Sequence, residues 1–217
     1  MRKSSLRKQH GFTLVEIAVV LVIIGLLLGG VLRGQELINS AKAKSLVQEF
    51  NEVSTMVYSY QDRFRFMPGD DPRADDHVGG TNATTPAAGG AAPTGNGRIN
   101  GAWDSTTQTD ESYLFWQHVR FANLAAGSTN PGDADYLPSN AENGRIGISS
   151  TAPAGMTGNF FICSGNLSGR FARQIDTTMD DGNTDSGTVR TFDAAGTVQD
   201  LTAGDDNDAG LTVCAAY

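Results

Sequence analysis

The sequence predicts an α+β protein in which a long amino-terminal helix, its first half membrane-spanning, packs on a small antiparallel β-sheet. An apolar block interrupted by one acid fills residues 12–32, and a segment with apolar residues at heptad spacing follows it. From Pro68 onward the chain carries all seven of its prolines and all but five of its 26 glycines. These residues separate short β-branched and aromatic runs, which is typical of strands joined by turns.

Composition and charge limit the classes of partner. The 217 residues carry a formal net charge of −8. Four basic residues precede the apolar block, and the other twelve are scattered without forming a basic stripe. Because a row of phosphates needs such a stripe, nucleic-acid binding is not evident. The length beyond the helix predicts one soluble domain of about 150 residues.

The amino terminus predicts a membrane anchor. Residues 1–11 form a basic leader, and residues 12–34 are predicted to form a transmembrane helix. The 21 residues from 12 to 32 would span roughly 30 Å, which is the thickness of a bilayer core. The basic leader should stay in the cytoplasm, so the rest of the chain crosses the membrane. A cleaved secretory signal is the alternative, because Gly29, Gly30 and Gly34 follow the apolar core.

Glu16 is the one acid inside the apolar block. An ionised group at this depth costs roughly 3 kcal/mol, so it needs a partner or a purpose. The segment GFTLVE, residues 11–16, resembles the prepilin processing motif of type IV pilins and type II secretion pseudopilins. The resemblance implies cleavage after Gly11 by a membrane prepilin peptidase and N-methylation of the new terminal Phe12. It also implies that the apolar helix is kept, whereas a secretory signal would be removed.

The same resemblance suggests a role in assembly for Glu16. After cleavage the amine of Phe12 is cationic and lies at a depth similar to that of Glu16, so the two charges can neutralise each other. In pilins this pairing is thought to join the acid of one subunit to the amine of its neighbour. The alternative is an ordinary membrane anchor whose Glu16 side chain reaches the membrane surface.

The helix is predicted to continue beyond the membrane as an amphipathic segment, residues 35–67. Apolar residues spaced four and three apart form one seam, which we interpret as the spine of a globular domain. At six positions the seam is too short to indicate a coiled coil. Pro68-Gly69 should end the helix. The seam residues are Leu46, Phe50, Val53, Val57, Tyr60 and Phe64.

Two local features bear on how this helix packs. Gly25 and Gly29 fit a GxxxG helix-pairing motif, although general close packing in the membrane explains them equally well. Many type IV pilins have a proline about 22 residues into the mature chain, where this sequence has Arg33. That departure leaves open where the helix bends and whether the chain resembles a pilin or a pseudopilin more closely.

Residues 68–217 are predicted to form the globular head of the ladle-shaped pilin fold, whose handle is the long helix. A long surface loop is expected at residues 70–108, where Gly, Ala, Thr and Asn dominate. Asp110 is placed to cap a helix over residues 111–125 that Gly127 ends. A second helix is predicted from Ser168 to Asp180. The predicted strands are residues 145–149, 159–163, 187–192 and 211–215.

The sequence does not predict an enzyme. The histidines His10, His77 and His118 are far apart along the chain, and no nucleophile with a neighbouring base is evident. Trp116 and His118 on one predicted helix are weak evidence for an active site. A packed or half-exposed helix face is the simpler interpretation.

Cys163 and Cys214 both lie beyond the membrane segment. In an oxidising compartment they predict one disulfide, closing the loop 163–214. A thiol nucleophile or a metal pair is the alternative, but neither a CxxC spacing nor nearby histidines support it. The carboxyl end is also a common place for a disulfide in the pilins that the chain resembles.

Asp181, Asn183 and Asp185 place oxygen atoms at alternate positions, as calcium loops do. Some type II pseudopilins bind calcium in a carboxy-terminal loop, so calcium is a possible ligand, although no cofactor is required. The alternative is a helix that ends near Gly182 and leads into a polar hairpin turn.

Together these features predict a structural subunit of a type IV pilus-like filament, assembled through its apolar helix. The expected partners are the prepilin peptidase, other copies of the chain, other pilins and the assembly platform of the inner membrane. The expected location is a single pass through the inner membrane with the carboxy-terminal domain in the periplasm, and then the pilus at the cell surface. A pseudopilin or minor pilin is the second interpretation. A single-pass anchored periplasmic domain that binds calcium or another ligand is the third.

Overall fold

A computed structural model of the chain describes residues 13–84 and 94–217. The described residues divide into two compact units, of which the first ends at Ala41 and the second begins at Lys42. The first unit contains the start of helix α1, which runs from Leu14 to Phe64, and the second contains the rest of the chain.

The amino-terminal part of α1 is apolar on every side and is not buried by any described residue. This part is long and apolar enough to cross a membrane. Leu14 is 87% exposed, Leu26 is 73% exposed and Val31 is 56% exposed. This surface fits membrane anchoring, since water solvates it poorly.

The carboxy-terminal part of α1 packs on the sheet through the predicted seam. Leu46, Phe50, Val53 and Val57 are at most 3% exposed and share one core with the strands. Helix α1 ends at Phe64, three residues before the end of the predicted amphipathic segment. The chain turns at Arg65, whose φ of 65° is left-handed and whose N–H donates to the carbonyl of Gln61.

The four strands form one antiparallel sheet in the order β1-β2-β4-β3. All four lie where the sequence predicted strands, with ends that differ by up to four residues, and the α+β fold is confirmed. Their bounds are β1, Ile146–Ser149; β2, Phe161–Leu167; β3, Val189–Phe192; and β4, Leu211–Ala216.

The sheet has two differently covered faces because side chains alternate along each strand. Ile148, Ile162 and Val213 belong to the core that contains α1. Residues of the opposite, outer face, among them Phe161 and Phe192, form a smaller cluster around the two cysteines.

Three further α-helices and one short 3-10 helix, Ala203–Asp205, belong to the described part of the second unit. Helix α2, Ala74–Val78, lies inside the predicted loop 70–108. Helix α3, Glu111–Phe121, ends four residues before the predicted end because Asn123 adopts a left-handed conformation with φ of 57°. Helix α4, Gly169–Met179, lies within the predicted bounds.

Asp110 occupies the N-cap position of α3 but does not cap it through its side chain. Its Oδ2 instead accepts a hydrogen bond from Ser105 Oγ at 2.6 Å. Asp110 thus takes the predicted N-cap position, but its carboxylate accepts from Ser105 and not from the backbone N–H groups of the first helical turn.

Cys163 and Cys214 form a disulfide between directly opposed positions of β2 and β4. The chain has no free cysteine, as the disulfide prediction required. The bond joins the two central strands of the sheet and closes a loop with a sequence separation of 51.

Replacing both cysteines with alanine should lower the free energy of unfolding by up to about 4 kcal/mol, because the unfolded chain regains the entropy of the closed loop. Chemical denaturation of the full chain in detergent micelles measures the change. Reduced wild-type protein serves as the control and should unfold near the midpoint of the double variant. An unchanged midpoint in both samples would contradict this role for the disulfide.

Candidate assembly site

Thr13 and Glu16 form a reciprocal hydrogen-bonded pair at the start of α1. Glu16 Oε2 accepts from the backbone N–H of Thr13 at 2.8 Å and from Thr13 Oγ1 at 2.7 Å. The backbone N–H of Glu16 donates back to Thr13 Oγ1 at 3.2 Å. This arrangement is a capping box, in which two side chains satisfy backbone donors that the first helical turn leaves unpaired.

The capping box leaves one oxygen of Glu16 available. Both bonds from Thr13 go to Oε2, and Oε1 has no hydrogen-bond partner among the described residues. A carboxylate has about four acceptor positions on two oxygens, so Glu16 can keep its cap and accept a cationic donor. Gly11 and Phe12, the predicted processing and methylation residues, lie outside the described residues.

The glycines of the apolar segment leave room for another helix. An added Cβ at Gly25, Gly29, Gly30 or Gly34 would meet no described atom within 4 Å. Glycine lets two helix backbones approach closely, although each interior glycine weakens a helix by about 1 kcal/mol relative to alanine. These positions therefore form a second feature suited to helix association.

The predicted calcium residues form a turn after α4. Asp181 Oδ1 accepts from the N–H of Asn183 at 2.9 Å, and Gly182 adopts a left-handed φ of 87°. The neighbouring Asp180 Oδ2 accepts from the N–H groups of Thr188 and Val189 at 2.5 and 3.0 Å. This geometry matches the alternative of a helix end followed by a polar turn.

Within residues 13–84 and 94–217, no group of three or more His, Cys, Asp or Glu side chains is placed to hold a metal ion. Calcium takes six to eight oxygen ligands, which also include backbone carbonyls, Asn side chains and water. Calcium binding at Asp181, Asn183 and Asp185 therefore stays a prediction.

Asp176 is a buried carboxylate that sequence reasoning missed. The residue is 0% exposed, and neither carboxylate oxygen has a hydrogen-bond partner among the described residues. Burial, together with the nearby charges of Asp180 and Asp181, raises the pKa of Asp176 to about 6, while the nearby backbone N–H of Gly182 opposes the shift. Its position next to Ile175 on the apolar face of α4 was the available sequence signal.

His118 is part of the core. The residue is 0% exposed; its Nδ1 accepts from the N–H of Gly69 at 2.9 Å, and its Nε2 lies 2.7 Å from the carbonyl of Thr81. Since the Gly69 bond needs an unprotonated Nδ1, the proton lies on Nε2 and donates to Thr81. Burial lowers the pKa of His118, which keeps the ring neutral. Trp116 is only 3% exposed on the same helix, so the packed helix face is the correct interpretation.

Two more buried acids anchor the segment that was predicted to be a long surface loop. Asp71 accepts from Tyr60 Oη at 2.8 Å and lies 2.6 Å from His77 Nδ1. Asp70 accepts from the N–H groups of Gly95 and Gly97 at 2.5 and 2.7 Å. Both acids are 0% exposed and tie the segment to the core, while other described residues of it, such as Asp75, Asp76 and Asn96, are exposed as a surface loop requires.

Comparison with known families matches residues 6–32 to the family described as the prokaryotic N-terminal methylation motif. The matched residues include the predicted cleavage position, Glu16 and most of the apolar segment. Comparisons with curated proteins and with solved structures find no match.

Three carboxyl groups, of which two are buried and one is half-buried, should make the protein less stable as the pH rises toward neutrality. Burial raises the pKa of Glu49 and Glu111 to about 7 and that of Asp176 to about 6. The unfolded chain releases these protons near pH 4, so their stabilising effect is complete below about pH 4 and is lost as the pH passes about 6 to 7. The lowered pKa of His118 has the opposite effect, because it makes the protein less stable as the pH falls below about 6.5. The three carboxyl groups outnumber this one imidazole, so we expect their effect to dominate.

Asp176→Asn isolates one of these groups because Asn cannot ionise. Relative to this variant, the wild type should lose on the order of 1–2 kcal/mol of unfolding free energy between about pH 4 and about pH 8. Denaturant unfolding of both proteins at the two pH values measures the difference. A difference that stays constant with pH would show that Asp176 has an ordinary pKa.

Proposed function

We propose that this chain, which carries the type IV pilin and pseudopilin signature at residues 6–32, is a structural subunit of a pilus-like filament. The subunit is made as a prepilin, cleaved after Gly11 and N-methylated at Phe12. It waits in the inner membrane with its carboxy-terminal domain in the periplasm, and then enters a filament through its apolar helix. A pseudopilin or minor subunit shares these amino-terminal features and is the second candidate.

The uncovered apolar surface of α1 is the observation that carries this proposal. Side chains from Leu14 to Leu32 are exposed around the whole helix. At about 25 cal/mol for each Å² of apolar surface, a segment of this size is unstable in water. Lipid can cover it before assembly, and the helices of other subunits can cover it afterwards. A signature for N-terminal methylation at the start of the same helix favours assembly over simple anchoring.

Glu16 supplies the second line of support. Its capping box with Thr13 orders the first turn of α1 and leaves Oε1 without a partner among the described residues. The methylated amine of Phe12 on a neighbouring subunit is a cation of suitable chemistry for this oxygen. Because an unpaired charge in hydrocarbon is costly, pairing the acid with the amine favours the assembled state over the separate subunits.

The other expected partners follow from this route. The prepilin peptidase removes the leader, the assembly platform of the inner membrane adds the subunit, and other copies or other pilins surround it in the filament. The head contributes the surface of the filament. No catalytic role for the chain is part of the proposal.

A comparison of Glu16→Ala with Glu16→Gln separates the two roles of this residue. Gln can keep the capping box but has no charge, whereas Ala loses both. If charge pairing drives assembly, both variants should reduce the filaments recovered by shearing by about tenfold or more, since a lost buried pairing costs several kcal/mol. Immunoblots of the sheared and membrane fractions measure incorporation.

Glu36→Gln is the matched control, because it removes the same charge from an exposed position farther along α1. It should assemble normally, and the thermal melting of the heads of all three variants should match the wild type. If Glu16→Gln forms normal filaments and Glu16→Ala does not, assembly requires the capping hydrogen bonds of Glu16 and not its charge. Normal filaments from both Glu16 variants would contradict its role in assembly.

A further inference from the structure

A concave cavity opens on the outer face of the sheet, away from α1. Its volume is about 390 Å³, and the disulfide, Phe161 and Phe192 line it. The segments 151–154 and 193–196 line it as well, together with Trp103. A volume of this size suits a small molecule or one long side chain.

Gly147 and Gly165 have no side chains, which leaves space for Trp103 on the outer face of the sheet. A Cβ on Gly165 would lie 3.0 Å from Trp103 Cη2, and a Cβ on Gly147 would lie 3.4 Å from Trp103 Cε3. Side chains at these positions of the outer face would therefore crowd the indole. The ring is half-buried, so part of it stays accessible at the cavity.

The polar groups of the cavity favour a ligand that donates hydrogen bonds. Asp104 is exposed and its carboxylate makes no hydrogen bond to a described residue, and the hydroxyls of Thr151 and Thr212 are likewise without described partners. An ionised carboxylate can only accept hydrogen bonds, and a hydroxyl can accept them as well as donate them, so a ligand that donates hydrogen bonds can use all three groups. Asp193 also lines the cavity, but its Oδ1 already accepts from the N–H of Ala195 and Thr197.

The charge of the lining has one sign. Asp104 and Asp193 are its charged residues, and no Lys, Arg or His is among the described residues that line the cavity. Two arginines lie near the cavity but outside its lining. Arg145 Nη1 donates to the backbone carbonyl of Asp104 at 3.2 Å, and Arg190 lies opposite Cys214 in the strand ladder. The formal net charge of the chain, −8, adds a field that attracts cations.

We propose that this cavity binds an organic cation, namely an ammonium group carried on an aromatic or aliphatic body. The apolar body would lie against Phe161, Phe192 and the disulfide. The ammonium group would lie between the face of Trp103 and the carboxylate of Asp104, since aromatic faces and carboxylates both attract cations. A free amine and the lysine side chain of a peptide present the same chemistry, and this site is independent of the proposed filament role.

Phenethylammonium is a suitable probe, with phenethyl alcohol and phenylacetate as its neutral and anionic counterparts. The sequence has two tryptophans, so Trp116→Phe leaves Trp103 as the single fluorescent reporter. Titration of the full chain in neutral detergent micelles should give saturable binding of the ammonium compound. The alcohol should bind more weakly and the anion most weakly. If the Trp116→Phe variant does not fold, calorimetry on the wild-type chain measures the same binding.

Asp104→Asn should weaken binding of phenethylammonium roughly two- to fivefold, as expected for one exposed charge pair. Asp135→Asn is the matched control, because it removes an exposed charge that does not line the cavity and should leave binding unchanged. Partition into micelles would be the same for both variants, so their difference reports the cavity alone.

A short lysine peptide and its ε-acetylated form distinguish the two sources of the cation. Tighter binding of the unmodified peptide than of phenethylammonium would assign the site to a protein partner, and the reverse would assign it to a free amine. Equal binding of the ammonium compound and the alcohol would overturn the proposal. No saturable binding of any cation, or an unchanged affinity in Asp104→Asn, would overturn it as well.

Discussion

The need to cover the apolar start of α1 governs the rest of this molecule. The described residues of this segment have no neighbours outside their own helix to remove them from water, and their side chains are exposed on all sides. A hydrophobic surface that wraps a helix completely cannot be satisfied by a single globular domain, which covers one face. Lipid or other helices must therefore supply the cover. The first part of α1 is apolar on all sides and needs lipid or other subunits to cover it. The later part of α1 is apolar on one side, which packs on the sheet of the same chain.

The second unit is held together by a different balance of forces. An apolar seam, four antiparallel strands and a disulfide between opposed positions form its frame. Within this frame lie acids that are unusual for an interior, among them Asp70, Asp71 and Asp176. Asp71 accepts from Tyr60 of α1 and Asp70 from the backbone of Gly95, whereas Asp176 has no described donor within hydrogen-bond distance. The free energy of unfolding of this unit therefore depends on pH in part through the carboxyl group of Asp176.

The sequence predicts features that repeat with a fixed period or match a short motif. The heptad seam located the sheet-facing side of α1, and β-branched and aromatic runs between turn residues located the strands. The segment GFTLVE pointed to the methylation signature that the family comparison confirms. Features that depend on residues far apart along the chain were not predictable in this way. The contacts of Asp70 with Gly95 and of His118 with Thr81 follow from the fold, not from any local pattern. The same holds for the cavity, where Trp103 meets two strands that begin more than 40 residues later in the chain.

Processing at the amino terminus is the central claim, and mass spectrometry of the amino-terminal peptide tests it most directly. The peptide should be analysed separately from the sheared surface fraction and from the membrane fraction of the native host. The account predicts that the mature chain begins at N-methylated Phe12 and that this form is present in the sheared filaments. The same terminus in membranes alone would favour a pseudopilin or a minor subunit. An intact leader in both fractions would contradict the account and leave an anchored periplasmic domain as the interpretation.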